Sequence, residues 1–175
     1  GVELTRQIIK FIQDESVKQS QKLAEVREVF PGFERSKWDE AGLRVRNATM
    51  TSIAPTGTLS LVANTSSGIE PIFSLAYKKM NFYGDNGGGS KKALYYINED
   101  FENYAKEKGF YSEDLMQKIA ENHGTLAGID GIPEEAKRIF VTTHDISPEW
   151  HVKMQAAAQE NMDAAVSKTI NLPSN

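Results

Sequence analysis

The run Ile53-Ala-Pro-Thr-Gly-Thr-Leu-Ser60 carries the residue types of this chain best suited to gripping an anion. A β-branched segment ends at Ile53, Pro55 fixes the exit, and Gly57 lets the backbone come close to a ligand. A helix beginning just after Gly57 would aim its unbonded first-turn N–H groups outward, with the hydroxyls of Thr56, Thr58 and Ser60 beside them. Phosphate or carboxylate suits such a cradle, to which Leu59 contributes backbone alone. No Gly-Lys-Ser/Thr follows, so the run is not the P-loop of nucleoside triphosphatases. The same residues also read as a plain strand-to-helix turn, and the pattern leaves both readings open.

A second small-residue loop, Asn64-Thr-Ser-Ser-Gly-Ile-Glu-Pro71, follows within a few positions. It either lines the same pocket, with Glu70 bonding a ligand hydroxyl or a neighbouring backbone, or is a solvated loop in which Gly68 takes positive φ. Other chemistries have less support. The chain has no cysteine, which excludes disulfides, thiolate metal sites and thiol or thiyl chemistry carried by these residues. His144 and His151 stand seven apart around Pro148, without the i, i+4 spacing that sets two ligands on one helix face, so no metal site is expected. No serine sits in a Gly-x-Ser-x-Gly elbow, and His144, just ahead of Ser147-Pro148-Glu149-Trp150, reads as packing at a helix entry.

The elements that must position these residues follow from periodicity. Val2 to Val29 reads as a helix with Leu4, Ile8, Phe11, Ile12, Leu23, Val26 and Phe30 on one face, packed on a sheet, interrupted by polar Ser16 and Gln19 and stopped by Pro31-Gly32. Residues 33–46 look irregular. Residues 47–53 and 164–172 have strand patterns, the second closed by Pro173. An extended stretch from Ile72 to Met80 and a run from Ala93 to Ile97 flank a glycine-rich turn, and together suggest a hairpin over about 72–97. Gly87-Gly88-Gly89 within that turn is either a native loop or an added linker. Asn98, Ser112 and Ser147 read as helix N-caps, Gly109 and Gly124 as stops, and Trp150, Met154 and Ala157 as one buried face.

Strand, helices, strand suggests parallel pairing in an α/β fold. Two such strands make a poor sheet unaided, because both edges stay open, so the chain reads as a piece of something larger. Its 175 residues, 39% hydrophobic, with mean hydropathy −0.47 and no apolar run near the ~18 residues of a membrane span, fit a globular protein outside the bilayer. The opening residues lack the apolar core of a secretory signal, so a cytoplasmic location is expected. Net charge is −4, and residues 94–165 hold fourteen acidic against six basic side chains, which disfavours a nucleic-acid partner.

Four ordered segments together resemble the large chain of the ribonucleotide reductases. They are Arg46-Asn-Ala-Thr-Met-Thr-Ser-Ile-Ala-Pro-Thr-Gly-Thr-Leu-Ser60, Ser67-Gly-Ile-Glu-Pro71, Thr142-Thr-His-Asp-Ile-Ser-Pro-Glu-Trp-His-Val-Lys-Met-Gln155 and Val166-Ser-Lys-Thr-Ile-Asn-Leu-Pro173. Thr-His-Asp-Ile and Ser-Lys-Thr-Ile-Asn-Leu-Pro look most like the adenosylcobalamin-dependent class. The resemblance implies part of a ten-stranded α/β barrel built from two half-barrels, in which a thiyl radical and a cysteine pair convert ribonucleotides to deoxyribonucleotides. It implies a substrate-phosphate loop at Pro55, Thr56, Gly57, Thr58, Leu59 and Ser60. It implies adenosylcobalamin as cofactor of the complete enzyme, with contacts mostly outside these residues, and as partners a ribonucleotide and the remainder of the reductase chain. Without cysteine, and without the family's Asn-x-Cys-x-Glu finger loop, the chain alone should be inactive. The rival expectations are a free-standing module that binds a nucleotide or another phosphorylated ligand, and an assembly segment in which the turn is only a cap.

Overall fold

The computed structural model describes residues 1–83 and 90–172. The expected glycine-rich turn over 84–89 and the strand-closing Pro173 lie outside the described residues. The elements run α1 (Val2–Arg27), α2 (Lys37–Glu40), α3 (Gly57–Ala63), β1 (Ala76–Tyr83), β2 (Ser90–Ile97), α4 (Glu99–Glu107), α5 (Glu113–Glu121), α6 (Glu134–Ile139), a 3-10 turn (Thr143–Asp145) and α7 (Pro148–Gln159). They fall into two compact units, one of Gly1–Ile69 with Pro148–Ile170, the other of Glu70–Ser147 with Asn171 and Leu172. No helix among the described residues is long and apolar enough to cross a membrane.

In the second unit β1 and β2 pair antiparallel, from Ala76 opposite Ile97 to Tyr83 opposite Ser90, so the first strand begins four residues later than Ile72 and the second three before Ala93. The core beneath them joins Leu75, Ala76, Phe101, Met116, Ile119, Leu126, Ile132 and Ala136. Phe140 packs edge-on against both Phe101 and Tyr104, with ring centroids 5.1 and 5.2 Å apart. The helix starts are capped as expected: the Asn98 carboxamide oxygen accepts from Phe101 N–H at 2.9 Å, and the Ser112 hydroxyl from Leu115 N–H at 3.1 Å. Beyond the last residue of α5, His123 and Gly124 take φ +57° and +77°, and any side chain at Gly124 would collide with Ser74. Its carbonyl instead accepts from Leu75 N–H at 2.9 Å, which ties the helix end to the start of β1.

The first unit is built on α1 and α7, which pack together. Arg6 joins Glu160 at 2.6 Å, and Ile9, Ala158 and Val166 are buried with Ile53, Ile69 and Met162 around them. Four expectations change here. The opening helix ends at Arg27, where Glu28 takes φ +61°, before Pro31-Gly32 is reached. Its apolar stripe is not the buried face: Leu4, Ile8, Phe11 and Ile12 are exposed, while Ile9, Ser20 and Ala24 are buried. Of the face expected on α7, Ala157 is buried and Met154 half-buried, but His151 and Ala158 share the inside while Trp150 is 54% exposed, with the Lys153 ammonium 4.6 Å from its ring centre. Within the stretch read as irregular, α2 forms with Ser36 as its cap, the hydroxyl accepting from Asp39 N–H at 3.3 Å.

The runs read as strands, 47–53 and 164–172, meet in the expected parallel sense but only as a single bridge between Ile53 and Val166. Ala164 N–H donates to the Thr51 carbonyl at 3.0 Å, Ile53 N–H to the Ala165 carbonyl at 3.2 Å and Ser167 N–H to the Ile53 carbonyl at 2.8 Å. A parallel ladder gains regularity from neighbours on both sides, and no third strand of this chain reaches either run among the described residues.

Candidate functional site

The turn expected to hold an anion is delivered by residues 46–53, which other elements of the first unit pin in place. The Ser20 hydroxyl, buried on α1, accepts from Arg46 N–H at 3.1 Å and Asn47 N–H at 3.0 Å and pairs with the Asn47 side-chain oxygen at 3.0 Å. The Trp38 indole N–H donates to the Ala48 carbonyl at 2.8 Å. Asp163 accepts from Met50 N–H at 3.0 Å through Oδ2 and from the Lys37 ammonium at 2.7 Å through Oδ1. Thr51 donates its hydroxyl to the Gln13 side-chain oxygen and accepts from Asp163 N–H at 3.3 Å. The bridge to Val166 follows at Ile53, and the chain then enters the turn.

In the turn Thr56 adopts the left-handed conformation, φ +46°, and α3 starts at Gly57. An N-cap threonine ordinarily bonds a first-turn N–H, but the Thr56 side chain makes no such bond. Its Oγ1 instead accepts from Gly68 N–H at 3.0 Å, so the second loop is fastened to the first. Gly68 has φ +51°, and a side chain there would begin 3.3 Å from the Ala54 carbonyl oxygen and from Ile53 Cγ2. The two small-residue loops therefore lie against each other, and glycine is what permits it. Glu70 falls in the second unit.

Pro55, Gly57, Thr58 and Leu59 are exposed, and Thr56 and Ser60 are half-buried. The Ser60 hydroxyl donates back to the Gly57 carbonyl at 2.7 Å, so in this conformation its proton serves the helix and only its lone pairs face outward. A Cβ at Gly57 would meet nothing within 4 Å, which leaves open space in front of the turn. The arrangement offers first-turn N–H groups and a backbone free of side-chain obstruction to an acceptor-rich ligand. The apolar residues of α3 are bare: the helix buries none of them, and Leu61 and Val62 are 81% and 83% exposed.

The other candidates lie elsewhere. His144 stacks edge-on against Phe73, centroids 5.1 Å apart, which matches helix-entry packing. Asp145 closes a capping box with Thr142 and accepts from the Thr125 hydroxyl at 2.5 Å. His123 and His144 are exposed and His151 is buried, and no three metal-ligating side chains gather among the described residues.

Sequence reasoning missed Asp163. Its side chain is only 4% exposed. Burial pushes the carboxyl toward the neutral form, but hydrogen bonds from Lys37, Gln13 and Met50 outweigh it and hold the pKa below the ordinary aspartate value. A depressed folded pKa means that the stabilisation is present above the ordinary aspartate range and is lost as pH falls through the lowered value. The partners lie 113 and 126 positions away, so no local pattern marks the residue.

A sequence profile of the ribonucleotide reductase barrel domain matches residues 40–175. The chain is 47% identical over 174 residues to a vitamin B12-dependent ribonucleoside-diphosphate reductase of Thermoplasma acidophilum, covering 99% of this chain and 22% of that protein. It is 40% identical over 173 residues to the enzyme of the same name in Mycobacterium tuberculosis, covering 99% of this chain and 24% of that one. Among solved structures, the class Id ribonucleotide reductase alpha subunit of Actinobacillus ureae superposes with a TM-score of 0.69 at 26% identity, over 93% of this chain and 26% of that one. The chain thus spans less than a quarter of the length of these curated relatives. It belongs to the ribonucleotide reductase barrel-domain family.

Proposed function

We propose that these 175 residues supply the substrate-phosphate grip of an adenosylcobalamin-dependent ribonucleotide reductase, which converts ribonucleotides to deoxyribonucleotides in the cytoplasm. The observation that carries the reading is the uncapped turn: Thr56 is turned away to Gly68, and the first-turn amides of α3 open onto unobstructed space at Gly57. Pro55, Thr56, Gly57, Thr58, Leu59 and Ser60 then hold the phosphates mainly through backbone N–H groups, and so fix where the ribose lies. The names of the Thermoplasma and Mycobacterium relatives favour a ribonucleoside diphosphate as substrate and cobalamin as cofactor. Residues 51–53 and 164–167, already bonded in parallel sense, become neighbouring strands of the ten-stranded barrel once the rest of the protein adds strands beside them.

The chain alone is inactive on this reading, since the radical thiol and the reducing pair need cysteines that it lacks. Two histidines lie at the surface and the third is buried on α7, and no three metal-ligating side chains gather among the described residues. On this reading the cofactor's contacts lie mostly in the remainder of the protein. The turn is tested by Gly57→Val in a reductase of the relatives' full length carrying this segment. A Cβ at that position strikes nothing in the fold, so folding is kept while the ligand is crowded. Affinity for a ribonucleoside diphosphate is expected to fall about tenfold or more, that is by about 1.4 kcal/mol. Unchanged affinity with an intact circular dichroism spectrum would remove the turn from the substrate site.

A further inference from the structure

We infer that Asp163 is a positioning residue for the phosphate turn: it sets the register of the 50–53 run that delivers Pro55–Ser60, and so tunes how tightly the substrate's phosphates are held. The inference rests on the phosphate reading above.

The path from Asp163 to the turn is short and made of directional bonds. Oδ2 accepts from Met50 N–H at 3.0 Å, and the Asp163 N–H donates to Thr51 Oγ1 at 3.3 Å, so side chain and backbone of one residue grip two successive positions of the run. The next residue, Ala164, donates to the Thr51 carbonyl at 3.0 Å, and Ile53 is then bonded on both its polar groups, to Ala165 and Ser167. From Ile53 the connection is steric: its Cγ2 and the Ala54 carbonyl lie 3.3 Å from where a Gly68 side chain would begin, and Gly68 N–H bonds Thr56 Oγ1 at 3.0 Å. A shift of the run along its own axis would move Ile53 against Gly68 and draw Thr56 with it.

The lone bridge at Ile53 is too little to fix such a register, because a strand pair without a ladder can slip. Ser20 and Trp38 pin the run upstream at 46–48, and a carboxylate buried to 4% exposure, with its charge met by Lys37, adds a directional hold at 50 and 51, nearest the turn. A hydrogen bond is made over only about 2.7–3.2 Å and weakens steeply as its angle falls, so a register residue remote from the ligand can govern affinity by moving the donors that hold it.

The test compares ligands as well as variants. In the full-length reductase, Asp163→Ala is expected to lower about tenfold the ratio of ribonucleoside diphosphate affinity to affinity for the matching nucleoside. Asp163→Asn, whose side-chain oxygen still accepts from Met50 N–H, should restore most of that ratio. General destabilisation would weaken both ligands alike and leave the ratio unmoved, and that result overturns the inference. If Gly57→Val collapses the ratio and Asp163→Ala leaves it intact, the turn binds phosphate without help from Asp163. If neither variant moves it, the phosphate reading falls and the inference with it. Should Asp163→Ala not fold, Asp163→Glu decides instead: it keeps the charge but displaces it by a methylene, so a lowered ratio supports the register role and an unchanged one overturns it.

Discussion

The two units of the chain are held by different forces. The second closes an apolar core in which Phe101, Leu75, Ile119 and Leu126 are essentially sealed from solvent and aromatic rings meet edge to face. The first buries Ile9, Trp38, Val45 and Val166 with three alanines, Ala24, Ala157 and Ala158, and adds polar pins at Ser20, Trp38 and Asp163. It also leaves large apolar side chains in water, on α1 at Leu4, Ile8 and Phe11 and on α3 at Leu59, Leu61 and Val62. The second unit also exposes large side chains, Phe73 and Ile139 among them, but beside a sealed core, whereas in the unit with the candidate turn whole apolar helix faces are bare. Apolar burial is non-directional and stabilises whatever packs well, whereas hydrogen bonds fix register, and a site that must hold an anion in one place needs the second kind.

The contrast is broken most forcefully from the second unit. Phe101→Ala removes the ring on which Phe110 and Phe140 pack, and should destabilise that unit by about 3–5 kcal/mol in denaturant unfolding. A loss below about 1 kcal/mol would mean that the aromatic cluster is not a close-packed core. In the first unit the corresponding cut is polar. Ser20→Ala removes the buried hydroxyl that accepts from Arg46 N–H and Asn47 N–H, and is expected to cost about 0.5–1.5 kcal/mol. Hydrogen exchange at the 46–53 amides reads the effect directly, since loss of the pin should raise their exchange more than that of the α4 and α5 amides. Uniform acceleration across both units would contradict the idea that the pin acts on the run.

What could be read in the sequence divides along the same line. Caps and stops are local, so Asn98, Ser112, Gly109 and Gly124 were legible from their own neighbours. The α1 stripe was legible as a helical period, but a period says only that an apolar face exists and not what covers it. The face with Leu4, Ile8 and Phe11 is bare in this chain, while Ile9 and polar Ser20 make the contacts. The parallel sense of the Ile53 and Val166 runs was recoverable from their order, yet their length as strands was not, because a ladder depends on neighbours. Likewise the turn at 55–60 was visible as a motif, while Asp163, Lys37 and Gln13, which hold what feeds it, are brought together only by the fold. Trp150 shows the same limit in reverse: helical spacing put it on one face with Met154 and Ala157, but only Ala157 is fully buried, while the Lys153 ammonium sits over the Trp150 ring and His151 lies inside.

The smallest expected effect sharpens the comparison most. Leu61→Ser and Val62→Ser alter side chains that touch almost nothing here, so each should change the stability of the isolated chain by no more than about 0.5 kcal/mol. In a reductase of the relatives' full length, the same substitutions would face whatever packs on α3, and burying a hydroxyl in place of a well-packed leucine or valine costs about 2–5 kcal/mol. Thermal unfolding of the two variants in both contexts therefore measures how much of α3's apolar face is covered by the rest of the barrel. Equal, near-zero effects in both would mean that α3 faces solvent in the whole protein too, and its turn would then sit at an open rim. A large effect confined to the full-length protein would place α3 inside the barrel's packing, where the amides of its first turn are shielded from water and act on an anion at lower dielectric.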